Sequence, residues 1–225
     1  KVLAEIRKAL EAGDRQKAKQ LAEQNLVGPN NDQYGRYLSF GDIFMVFNNQ
    51  KKGLENVTDY HRDLDITQAI STTSYAQDGT TFKREIFSSY PDDVTVTHLS
   101  KKGDKTLDFT LWNSLTEDLL ANGDYSWEYS NYKQGAVTTD SNGILLKGTV
   151  KDNGLQFASY LGIKTDGQVT AQGGYLNVTG ASYSTLLLSA KTNYAQNPKT
   201  NYRKDIDLEN TVKSIVEAAK AKDYE

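Results

Sequence analysis

Cysteine is absent from the 225 residues, so no disulfide and no thiolate metal site can form. Its absence leaves the redox compartment unread. Histidine is scarce too: His61 and His98 lie on separate predicted strands, with no second histidine or cysteine at ligand spacing beside either. Each therefore reads as a packed or solvated sheet residue rather than a metal ligand. No apolar run approaches the roughly 20 residues needed to span a bilayer. The N-terminal KVLAEIRKAL has helical amphipathicity but not the apolar core of a signal peptide. An excess of one charge is also missing. With 26 basic and 29 acidic residues interspersed, no basic stripe advertises a phosphate backbone, and nucleic acid is not an expected partner. The chain has no Gly-x-Ser-x-Gly elbow, no His-Glu-x-x-His helix, no Walker phosphate loop and no Gly-x-Gly-x-x-Gly after a strand. Their joint absence counts against several enzyme classes, and no cofactor is expected.

What is present is a β grammar. From Tyr60 to Ser114 the chain reads as strand, strand, two-residue turn, strand, proline turn, strand, charged turn, strand. The decisive pair is Asp78-Gly79, flanked by Thr72 to Tyr75 and Phe82 to Phe87, because a type I′ hairpin needs positive φ at both central residues. Further turn signals at Asn142-Gly143, Asn153-Gly154, Asp166-Gly167 and Gly180 separate four more candidate strands, Ile144 to Val150, Leu155 to Lys164, Tyr175 to Val178 and Tyr183 to Ala190. In Tyr37 to Phe47, Ile43, Met45 and Phe47 alternate with Phe44 and Val46. Both sets are apolar, which predicts a strand covered on both faces. Residues 115–135 lose regular alternation and read as an exposed loop or edge ribbon.

Helices bracket the strands. Val2, Leu3, Ile6 and Leu10 share a helical face, Gly13 breaks the run, and Asp14 can N-cap a second helix carrying Ala18, Leu21, Ala22 and Leu26. Residues 1–26 thus form a helical hairpin. Leu208, Val212, Ile215, Val216 and Ala219 give 207–225 the spacing of a helix that leads out of the domain. The expected organisation is one β domain over 1–206, with strands in 37–206, followed by this helix. The chain opens on Lys1 and ends in KAKDYE, the ends expected of a piece of a longer polypeptide.

Candidate chemistry is sparse. Glycoside hydrolysis uses two carboxyl groups, one held protonated and one ionised. Asp63 and Asp65 share one side of a strand, and Asp92 and Asp93 follow Pro91 in a turn. Turn capping, strand-end solvation or pairing with Arg62 or Arg84 explains such carboxylates equally, and no catalytic residue is assigned. In DYSWEYSNYK the residues Tyr125, Trp127 and Tyr129 alternate, so as a strand they would share one face on which a sugar ring could stack. They are the candidate carbohydrate-binding residues. The alternative is that they cover an open sheet edge.

The order LAEIRKALEAGDRQKAKQLAEQNLVG, GRYLSFGDIFMVF, YHRDLDITQAISTTSYAQDGTTFKREIFSSYPDDVTVTHLS and LLLSAKTNY resembles the N-terminal domain of glycoside hydrolase family 95, the α-L-fucosidases. Its most specific pieces are Phe40-Gly41-Asp42, the run Tyr60 to Asp65, and Arg84-Glu85 with Phe87, Ser89 and Pro91-Asp92. The resemblance implies a large β super-sandwich, with 207–225 as the start of a helical linker to an (α/α)6 barrel that performs an inverting hydrolysis. No catalytic position of that family falls on a residue here. The resemblance therefore implies an accessory, inactive domain whose partners are the barrel and fucosylated glycans, in an extracellular or cell-surface setting. A stand-alone carbohydrate-binding β sandwich is the alternative.

Overall fold

The computed structural model describes residues 2–26, 39–48, 56–116 and 133–224. The chain divides into two compact units, Lys1–Gly35 and Arg36–Glu225. In the first, α1 (Val2–Glu11) and α2 (Arg15–Asn25) pair as the expected hairpin. Gly13 turns the chain with φ +76°, a conformation that costs glycine little. Asp14 caps α2 by accepting from the Lys17 amide at 3.0 Å. Ile6, Ala9 and Ala18 are buried, with Val2, Leu21 and Ala22 against them. Leu3 and Leu10, expected on the same inner face as Ile6, are exposed instead.

The second unit is a sandwich of two antiparallel sheets. Its strands are β1 (Ile43–Phe47), β2 (Val57–Asp65), β3 (Ile70–Gln77), β4 (Thr80–Ser89), β5 (Val94–Lys102), β6 (Leu107–Asn113), β7 (Lys133–Asp140), β8 (Gly143–Val150), β9 (Gln156–Thr165), β10 (Gln168–Gln172), β11 (Tyr175–Ala181) and β12 (Tyr183–Thr192). One sheet has the order β1-β6-β11-β10, the other β2-β3-β4-β5-β12-β9-β8-β7. The five strands expected between Tyr60 and Ser114 are β2 to β6. Asp78 and Gly79 adopt φ of 49° and 80°, and Gln77 pairs with Thr80, so the two-residue turn forms where its chemistry required it.

The core lies between the sheets. Leu107, Phe109 and Leu111 of β6 and Leu176 and Val178 of β11 meet Phe82, Leu99, Leu161, Ile163 and Leu186 of the larger sheet. Period-two alternation explains the choice, since every second residue of β6 is buried. The larger sheet is covered on its other face as well. There α3 (Leu208–Lys220) sets Leu208, Val212, Val216 and Ala219 against Val94, Val96, Leu145, Ala158, Tyr160 and Leu187. The C-terminal helix lies along this sheet. Asp207 caps it through the Asn210 amide, and Lys147 of β8 ties to Glu209 at 2.8 Å.

One strand expectation is corrected by this arrangement. The strand covered on both faces is not β1 but β9 and β12, which lie between the small sheet and α3. β1 is an edge strand whose Phe44 and Val46 are about half exposed, at 45% and 50%. At the opposite extreme β2 is accessible along almost its whole length, with Leu64 exposed. The four-stranded sheet covers only part of the eight-stranded one.

Candidate functional site

The outward face of the large sheet carries a groove of about 580 Å³ beside the C-terminal end of α3. Strand register builds its floor. Glu85 lies opposite His98, His98 opposite Thr185, and Thr185 opposite Lys164, so one residue from each of β4, β5, β12 and β9 falls in a row. His98 Nδ1 shares a hydrogen bond with Thr185 Oγ1 at 2.8 Å, and the Tyr224 ring stacks on the imidazole at 3.8 Å. Burial pushes the His98 pKa down, against the nearby Glu85 carboxylate, with Lys83 adding to the depression. Burial, followed by the charge of Glu85, pushes the Tyr224 phenol up to about 12.

Several charges in and around the groove are paired. Asp92 accepts from Lys222 and from Ser89 Oγ, and the Lys222 bond is the main reason its carboxyl is held below its ordinary value. Lys83 pairs with Glu85 at 2.8 Å, Lys191 with Asp93, and Lys220 with Glu217 at 3.1 Å. Asp65 accepts from the amides of Thr67 and Gln68, which makes it a turn cap. Glu209, bonded by Lys147 and Lys213, is lowered to about 2. Depressed carboxyl groups are ionised acceptors, the opposite of the protonated acid that glycoside hydrolysis needs. Among the described residues no group of three histidine, cysteine or carboxylate side chains could hold a metal ion. His61 is exposed on β2, away from the row that holds His98.

His98 makes the groove pH-sensitive. Its folded pKa lies below the unfolded value of about 6.5, so the unfolded chain binds the proton more readily and stability falls as pH drops through that window. His98→Gln, which keeps a hydrogen-bonding group but cannot charge, is expected to lose less Tm than the parent between about pH 7 and pH 5. Thermal melts at the two pH values check this, and equal slopes would refute it.

A second constellation lies on the outward face of the small sheet. Phe44 of β1 stands opposite Trp112 of β6 and stacks on it at 5.4 Å, and Trp112 meets Tyr175 of β11 at 5.7 Å. In the next row Val46, Thr110 and Asn177 stand opposite one another; Asn48, just past β1, donates from Nδ2 to Thr110 Oγ1 at 3.1 Å, and Thr110 Oγ1 donates to Asn177 Oδ1 at 2.8 Å. Tyr125, Trp127 and Tyr129, the aromatic residues singled out in the sequence, lie outside the described residues. The row through Trp112 was missed. Its signal was an aromatic in the outward phase of three strands, visible only once those strands are known to be neighbours.

A family description, glycosyl hydrolase family 65, N-terminal domain, matches residues 1–197. The chain belongs to that family. The match spans the helical hairpin and the twelve strands found among the described residues, and stops before α3. Alpha-L-fucosidase 2 of Arabidopsis thaliana is 25% identical over 182 residues, which is 70% of this chain and 20% of the relative. The chain thus spans about a fifth of that relative's length. An N-terminal glycoside hydrolase domain was the expectation, and at that level the family 65 match agrees with it, although the resemblance in the sequence was to family 95.

Proposed function

We propose that this chain is the accessory N-terminal domain of an inverting α-L-fucosidase-like glycoside hydrolase of the family 95 type, and that it is non-catalytic by itself. The observation that carries the reading is the similarity to alpha-L-fucosidase 2 along most of this chain but a fifth of that relative. Most of such an enzyme then lies elsewhere, in a catalytic domain of the (α/α)6 type. There one carboxylic acid protonates the leaving oxygen while water attacks the opposite face of the sugar, which inverts the anomeric centre. The groove fits a scaffold role here, because Asp92 within it is tied to Lys222 and Ser89, and Glu85 beside it to Lys83, rather than held as acids.

The surface that fits the catalytic domain is the β2 wing. Tyr60 and Leu64 of β2 and Ile66 just beyond it are 59%, 63% and 86% exposed, and exposed apolar side chains along one sheet margin mark a contact surface. Docking there would let this domain shape the barrel's mouth. Fucosylated glycans are the substrate class, and a glycan-degrading role fits an extracellular or cell-surface location. The test compares the full-length parent with residues 1–225 on 2′-fucosyllactose, following the released sugar by NMR. The parent is expected to release L-fucose that appears first as the β anomer, and the isolated chain none. No release by the parent, α anomer first, or release by the chain alone overturns the proposal.

A further inference from the structure

We infer that the outward face of the four-stranded sheet binds a neutral oligosaccharide laid across Phe44, Trp112 and Tyr175. Adjacent strands lie about 4.8 Å apart, and the three rings follow that spacing, at 5.4 and 5.7 Å between neighbours. This step is comparable with the length of one pyranose unit, so consecutive sugars meet consecutive rings. Each pyranose has a C–H face that packs on an aromatic ring. Its rim of hydroxyls needs partners that both donate and accept.

The neighbouring row supplies them. Thr110 and Asn177 lie in that row, and Asn48, just past the end of β1, joins them: Thr110 Oγ1 accepts from Asn48 Nδ2 at 3.1 Å and can donate to Asn177 Oδ1 at 2.8 Å or to Asn48 Oδ1 at 3.5 Å. That leaves acceptor capacity at the amide oxygens of Asn48 and Asn177, each of which has a second lone pair, and a donor at Asn177 Nδ2. Such a pair matches hydroxyl groups, which take both roles. The outward positions of these four strands carry no lysine or arginine and one carboxylate, Asp108. An anionic polymer or an acidic membrane surface would require the opposite.

Geometry also separates this site from the groove, which lies on the other side of the sandwich against α3. The inference does not depend on the fucosidase reading. A parent that releases no fucose would leave it standing, and a failed titration here would leave that reading standing.

The test uses the full 225-residue chain carrying Trp127→Phe, so that the fluorescence of its one remaining tryptophan reports on Trp112. Cellotetraose, maltotetraose and 2′-fucosyllactose are titrated separately, and saturation-transfer NMR on the sugar provides a readout independent of tryptophan. At least one sugar is expected to saturate the signal with Kd on the order of 0.1–1 mM. Trp112→Ala is expected to weaken binding roughly tenfold or more, and Phe44→Ala several-fold. Phe44 is half exposed, so its truncation leaves the fold intact even if Trp112→Ala does not. No saturable response to any of the three sugars by about 10 mM would overturn the inference. So would a Phe44→Ala protein of native circular dichroism that binds like its parent. Concentration-dependent self-association abolished by Phe44→Ala, without a sugar response, would assign the face to protein contact and also overturn it.

Discussion

Replacing Phe109 with alanine is expected to cost about 3–5 kcal/mol, the largest loss available to a single truncation in the sandwich. Phe109 is fully buried at the centre of β6. It stands opposite Phe47 on one side and Val178 on the other, and its ring meets that of Phe47 at 5.6 Å. The cost has two parts. Losing the ring forfeits its transfer from water, and the two sheets cannot close the resulting cavity without disturbing their own hydrogen-bonded ladders. Domains of this size are stable by about 5–15 kcal/mol, so the variant stays folded only if the domain lies toward the upper end. At about 2–4 °C per kcal/mol the transition of the sandwich should fall by roughly 6–20 °C. Calorimetry measures it, and Phe109→Leu should recover most of the loss. A fall below about 3 °C for the alanine variant would mean that the sheets are not packed through β6 as described.

Gly162→Val is expected to detach α3 from the large sheet while leaving the inter-sheet core in place. Gly162 sits in β9, flanked by Leu161 and Ile163, which point into the core, and itself faces the helix. A Cβ at this position would lie 2.4 Å from Val216 Cγ1, and Val216 is fully buried under α3. The neighbouring strand gives no room either, since a Cβ on Gly143, directly opposite, would lie 2.3 Å from the Leu161 carbonyl oxygen. Overpacking of a well-filled core costs about 1–3 kcal/mol for modest additions. Valine adds more than the single carbon that already collides. The expected result is faster amide exchange and earlier proteolysis across 208–220, with β8 and β9 still protected. The pair Gly162→Ala and Val216→Ala separates crowding from other causes. The double variant should be more stable than the sum of the single losses predicts, because each change supplies the volume that the other removes. Strict additivity would show that the contact between β9 and α3 is not what the glycine protects.

Detachment of α3 would also open the groove. Tyr224, which stacks on His98, follows the helix by four residues, and Lys222, the partner of Asp92, by two. The Gly162→Val protein is therefore expected to lose the acid sensitivity assigned to His98, since an imidazole released to water titrates near its ordinary value.

Much of the fold was legible from residue types alone. Asp78-Gly79 demanded a hairpin because two consecutive positive φ values leave few other residues a place, and the structure has both. Gly13 and Asp14 set the break between α1 and α2 for similarly local reasons. Local chemistry also made Asp65 a turn cap, as the capping alternative implied, whereas Asp92 and Asp93 pair with Lys222 and Lys191 rather than with Arg62 or Arg84.

What the chain could not declare was which strands become neighbours and what covers each face. The apolar residues on both phases of Ile43–Phe47 looked like double burial. Yet β1 closes an edge, and Phe44 is half exposed because its ring lies against Trp112 rather than under another layer. Helical spacing in Leu208–Lys220 specified an apolar stripe but not its partner; that choice was made by Val96, Leu187 and Tyr160 on three non-consecutive strands, with Gly162 leaving room for the approach. The aromatic row is the same case. Phe44, Trp112 and Tyr175 are separated by more than sixty positions at each step and meet only through register. Local propensity and turn chemistry act over a few residues and so can be read along the chain, whereas sheet order and layer contact are set by pairings over long separations, which only the assembled structure displays.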